Sequence, residues 1–219
     1  GSGADPDTEH NNADTGISVI QKDNSSGSIG SNLFLNHSLG KKPAFAVFFD
    51  GVDVNYNANT HYSTGHYAWH QHLSDNKYLK IDTNAAESSW SGGDDYTAGD
   101  LTPFPTSCST TTTFKIGDAI NISQIHCWLF AEVAGFSRFG YYEGRGDTPF
   151  YNACGFKPKF LMVKRIDSTG DWTILDSARD TLNTDMGRAV EANDTSDETS
   201  AFNSTYSCLL YTSPSPRDS

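Results

Sequence analysis

The stretch "GKKPAFAVFFD" at residues 40–50 returns, altered but recognisable, as "GFKPKFLMVKRID" at residues 155–167. Both copies contain G-x-K-P-x-F, first as Gly40, Lys42, Pro43 and Phe45, then as Gly155, Lys157, Pro158 and Phe160, spaced by 115. Glycine permits a tight turn, proline fixes its own φ and cannot donate to a central ladder, and the apolar run that follows reads as a buried strand. The motif is a turn that feeds a core strand. Its recurrence predicts a duplicated β-module.

Other landmarks keep the same order. "GISVI" at 16–20 pairs with "GFSRF" at 135–139, Trp69 with Trp172, and "DTNAAE" at 82–87 loosely with "DTSDET" at 194–199. The spacings drift, which means loops of unequal length in otherwise matching units. Residues 16–134 are expected to form a first repeat, and residues 135–207 a second, truncated one without an equivalent of "FKIGDAINISQIHCWLFAEV". The opening residues 1–15 read as an arm or the end of a preceding unit.

Strand signals are frequent: "AFAVFF", "HYAWHQH", "KYLKIDT", "TTTFKIG", "IHCWLFAEV" and "GFSRFGYY", separated by Gly, Asn, Asp and Pro clusters. Short strands punctuated in this way predict an all-β chain, an antiparallel, jelly-roll-like β-sandwich built from tandem repeats. Helical signal is confined to a turn or two near residues 85–88 and 177–182.

The composition narrows the function classes. A net charge of −12 without any basic cluster argues against nucleic acid, because tracking phosphates requires Lys and Arg gathered on one face. No run approaches about 18 apolar residues, so no membrane-inserting helix is expected. Export signals are not visible either.

The end of the chain, "CLLYTSPSPRDS" at 208–219, breaks this texture. Read back into codons, Cys208 to Asp218 resembles one translation frame of a common sequencing adapter. The tail is therefore expected to be non-native, contributing nothing to the fold. Without it the cysteines are Cys108, Cys127 and Cys154, with no CxxC pair and no zinc spacing, so neither a disulfide framework nor a zinc site is expected.

Most of residues 16–207, above all the stretch 128–180, resembles a repeat found in virion and tail proteins of phages, marine ones especially. The resemblance is carried by Phe130-Ala131-Glu132, Gly135-x-Ser137, Gly155-x-Lys157-Pro158, and Asp171-Trp172 with Asp176. The first copy fits through Trp69-x-x-His72, Leu73 with Leu79, and Ala85-Ala86-Glu87, and departs from the pattern in an insertion at 50–66. In those relatives such repeats sit near concanavalin A-like and laminin-G-like sandwich domains. The resemblance implies a place, the phage particle, more than a reaction. Its implied partners are other virion subunits, further copies of the chain, and host-surface glycans.

The insertion carries the sharpest candidate site residues. Asp50, Asp53, Asn55 and Asn57 offer the oxygen ligands that calcium takes, although the EF-hand pattern fails at Ala58 and Thr64. Tyr56, His61 and Tyr62 are a mix suited to stacking on sugars and hydrogen bonding them, and a solvated loop is the plainer alternative. His70 and His72 would lie on one strand face about 7 Å apart, without a third zinc ligand. Glu132 and Glu143 do not form the paired carboxylates of a glycosidase, and Glu132 reads as a structural hydrogen-bonding residue. "RGD" at 145–147 falls in a Gly-rich turn.

The expectation is a non-enzymatic structural or host-surface-binding module of a phage tail. A glycoside hydrolase on a concanavalin A-like sandwich and a secreted lectin stand as the alternatives.

Overall fold

The run Gln124–Ala131 places Ile125, Cys127, Leu129 and Ala131 on one face of a strand and His126, Trp128 and Phe130 on the other, because successive side chains of a strand point to opposite sides. Both faces are largely apolar, as a central strand requires. The computed structural model describes residues 5–23, 33–50, 66–74, 77–89, 110–117, 124–144, 154–179 and 188–198. In chain order the strands are β1 (Thr8–Asn12), β2 (Ile17–Asp23), β3 (Leu33–Asn36), β4 (Pro43–Asp50), β5 (His66–His70), β6 (Lys77–Lys80), β7 (Ser88–Ser89), β8 (Thr113–Gly117), β9 (Gln124–Ala131), β10 (Phe160–Lys164), β11 (Trp172–Asp176) and β12 (Ala189–Glu191). The described residues contain no helix. Near residue 177 the chain instead makes a turn held by Asp176, whose Oδ1 accepts from the amides of Ala178 and Arg179.

Seven strands form one antiparallel sheet in the order β1-β2-β9-β4-β5-β6-β7, with β9 and β4 near its centre. Its inner face presents Ile20, Ala46, Phe48, Trp69, Ile125, Cys127 and Leu129. These pack beneath the β3–β8 pair, which contributes Leu35 and Phe114. The Phe114 ring lies 5.4 Å from both Phe48 and Trp69. The result is the expected β-sandwich. Burying a side chain such as Phe114 contributes about 1.5–3 kcal/mol.

The arm at residues 1–15 contains β1, which sequence periodicity does not reveal because "TEHNN" has no apolar alternation. Polar pins hold it instead. Glu9 accepts from the Ser18 hydroxyl at 2.7 Å, the Ser38 amide at 2.7 Å and the Ser38 hydroxyl at 2.8 Å. Partial burial pushes the Glu9 carboxyl up, but these donors outweigh it and hold its pKa below the ordinary value.

The meander β4–β5–β6 recurs as β10–β11–β12, antiparallel and in the same order. Two backbone bonds fix the correspondence: Gln71 N–H to Ala44 O in the first meander matches Ser177 N–H to Lys159 O in the second, and Ile81 N–H to His66 O matches Ala192 N–H to Trp172 O. By this register Trp69 corresponds to Leu175 and Trp172 to His66, so the two tryptophans that pair by sequence order occupy different strand positions and different faces. Four glycines among the described residues have left-handed φ: Gly16 (71°), Gly40 (63°), Gly135 (76°) and Gly155 (79°). They are the glycines that open the repeated landmarks.

The second meander packs its outer side on the outer face of the large sheet. Trp172 and Met162 meet Ala68, Leu73, Leu79, Phe45 and Ile81. Trp172 Nε1 donates to Lys80 O at 2.8 Å, Gly170 N to Asn84 O at 2.9 Å, and Glu87 N to Ile166 O at 2.9 Å.

"GFSRFGYY", expected as a strand, is not one. Gly135 turns the chain, and the turn closes on itself through the Val133 and Ser137 backbones. The segment then crosses the face of the large sheet, where no ladder is available. Phe139 stacks on Phe45 at 5.8 Å, and its amide donates to Glu132 Oε1 at 3.0 Å. Glu132 thus holds backbone, as the sequence suggests.

Candidate functional site

The outer face of the large sheet is built from aromatic residues at the non-core positions of β4, β5 and β9. At one end, Trp128 remains 44% exposed. Phe49 lies edge-on to it at 5.3 Å and edge-on to His66 at the same distance. The register carries this row across β2 and β1 through Val19 and His10, and the neighbouring row places His126 beside Gln21. A shallow hollow lined by His10, Asn11, Asn12, Thr15 and Ile17 adjoins it on β1 and β2. An open indole flanked by imidazoles and amides can stack on an apolar ring face and hydrogen-bond its polar rim.

The other end of this face is covered. The segment after β9 crosses it, with Phe139 against Phe45 and Phe130, Gln71 Nε2 donating to Phe139 O at 3.0 Å, and Tyr141 at 4.8 Å from the His72 ring. His70 sits beneath. Burial is the main cause, and the neighbouring His72 the second, of a His70 pKa lowered to about 4, with Glu132 pulling weakly the other way. Its Nδ1 accepts from the His72 amide at 3.2 Å, so the ring is neutral as placed. The His70 and His72 rings do meet, 5.4 Å apart, but His72 lies beyond the end of β5 in a turn, not on the strand face expected for it. Among the described residues no group of three His, Cys, Asp or Glu side chains is arranged to hold a metal.

Tyr56, His61, Tyr62, Asp53, Asn55, Asn57 and the 145–147 tripeptide lie outside the described residues, as does the side chain of Asp50, which ends β4. The chain leaves the sheet at Asp50 and re-enters it at His66, so the insertion is rooted beside the Phe49, His66 and Trp128 cluster. Trp128 itself is not marked by any motif. Its signal is the alternation of "IHCWLFA", in which a tryptophan takes the face opposite Cys127 and Leu129. Cys127 is fully buried, and burial pushes its thiol pKa well up, which makes it a packing residue.

No curated protein and no solved structure matches the chain. A family model described as a domain of unknown function (DUF7483) matches residues 3–210, nearly the whole length, and the chain belongs to that family.

Proposed function

We propose that this chain is a non-enzymatic module of a phage tail or fibre, in which stacked β-units form the body and the outer face around Trp128 holds host-surface glycan. The observation that carries the binding part is an exposed indole on a central strand of a rigid sheet, with His126 on the same strand and Gln21 and His10 on the neighbouring strands in register. A pyranose presents one apolar face and a rim of hydroxyls, which this arrangement matches. Such a site is flat and binds weakly, and multiple copies on one particle raise its effective affinity by avidity. The resemblance to phage virion repeats and the duplicated meander support placement in an appendage.

The test is retention of the intact chain on purified host-surface polysaccharides. Trp128→Ala is expected to abolish retention without shifting the melting temperature, since the side chain is half in solvent. Unchanged retention by the folded variant removes the Trp128 site. Retention that disappears with a chelator moves the site to the Asp50, Asp53, Asn55 and Asn57 loop. Release of reducing sugar on long incubation overturns the non-enzymatic part. Tail genes flanking the coding region in a longer contig are the expected context.

A further inference from the structure

The duplicated meanders differ in what lies beside their first strand. In β4, Ala46 and Phe48 turn their backbone groups to β5, so Phe45, Val47 and Phe49 present theirs to β9, opposite Phe130, Trp128 and His126. The register assigns the same parity to β10. Leu161 and Val163 bond to β11, while Phe160, Met162 and Lys164 turn their N–H and C=O groups to the opposite edge, and among the described residues no strand pairs there.

The side chains tell the same story. Phe45 lies 5.7 Å from Phe130 of β9, whereas its counterpart Phe160 is 58% exposed. Exposed edges are commonly blunted by lysine. Lys164 does not serve in that way here, because its Nζ is drawn back onto carbonyls of the chain, Gly170 O at 2.7 Å and Arg165 O at 2.8 Å.

We infer that the outer edge of β10 is a strand-acceptor site whose occupant is an antiparallel strand of β9 type from another unit of the same repeat, bringing an aromatic residue against Phe160. The first meander supplies the template, since the equivalent edge of β4 is filled by such a strand in a matching register. Main-chain bonds provide affinity, and the aromatic contact fixes register. The inference stands on the duplication and is independent of glycan binding.

The experiment adds a peptide of residues 124–134, carrying serine at the Cys127 position and terminal lysines for solubility, to the intact chain. Amide exchange is then read residue by residue. Phe160, Met162 and Lys164 are expected to slow at least tenfold, with Leu161 and Val163 little changed. A peptide with alanine at the Phe130 position should bind at least fivefold more weakly. Phe160→Lys, at an exposed site, should abolish the slowing while leaving Trp172 and Leu175 as protected as before. Absence of alternating protection at saturating peptide overturns the proposal. So does protection confined to β12, or loss of protection in β2 and β4 through displacement of the resident β9.

Discussion

β4 and β10 begin from the same G-x-K-P turn and carry equivalent backbone registers, yet they occupy different surroundings. β4 lies between β9 and β5, its Phe48 is buried beneath Phe114, and its Phe45 is sandwiched by Phe130 and Phe139. β10 has β11 on one side only among the described residues, and its Phe160 faces solvent. Local sequence therefore specifies the meander, whereas burial is conferred by neighbours that come from distant parts of the chain. The same element can be a core in one place and an edge in another.

Truncating the two tryptophans tests this contrast most strongly. Trp69→Ala empties the centre of the sandwich and should cost about 3–5 kcal/mol in denaturant unfolding of the whole sheet. Trp172→Ala removes the contact between the meanders and the bond to Lys80 O, and should cost about 2–3 kcal/mol. Exchange protection in that variant should fall in β10–β12 and persist in β2, β4 and β9. A single cooperative loss in both variants would show the two meanders to be one folding unit.

In the free chain the amides of Phe45, Val47 and Phe49 should exchange at least about a hundredfold more slowly than those of Phe160, Met162 and Lys164, equivalent to about 2.7 kcal/mol. Equal protection would erase the distinction between core strand and edge strand.

His70 supplies a pH test confined to the first unit. Its folded pKa of about 4 lies below the ordinary 6.5, so the unfolded chain binds the proton more readily. The stabilisation is complete above pH 6.5 and declines as pH falls toward 4, by on the order of 3 kcal/mol. His70→Phe should flatten the melting temperature across that window, at a small constant cost from the lost acceptor for the His72 amide. A slope unchanged in the variant would place the titration elsewhere.

The smallest effect separates two equivalent glycines. An added Cβ at Gly16 would lie 2.6 Å from Ala131 O and 2.8 Å from the Val133 side chain, whereas at Gly135 it would meet nothing within 4 Å. Gly135→Ala should therefore cost only the left-handed backbone term, about 1–2 kcal/mol, and Gly16→Ala measurably more. Equal costs would mean that the turn before β2 relaxes freely.

Sequence made the repeated turn and strand legible because glycine, proline and alternating aromatics act locally. β4, β6, β8 and β9 follow directly from it. β1 was not legible, since Glu9 and Asn11 hold it through side-chain bonds to Ser18 and Ser38, which have no periodic signature. The strand expected at 135–142 failed for the opposite reason: its aromatics bind a sheet face, and composition alone does not distinguish a strand in a ladder from a strap across one. For the candidate site, His70 and His72 stood out as residue types, but whether Trp128 is covered depends on which elements lie over it, and that is decided by packing.

The contact between the two meanders uses the same side of each, with Met162 and Trp172 from one and Phe45, Ala68 and Leu79 from the other. The residues that meet are not counterparts, since the register matches Phe45 with the exposed Phe160 and Trp172 with His66, so the contact joins unlike surfaces. A further contact between unlike surfaces would form where a β9-type strand meets the edge of β10, which no strand fills among the described residues. The length of such an assembly is then set by how many edges are filled.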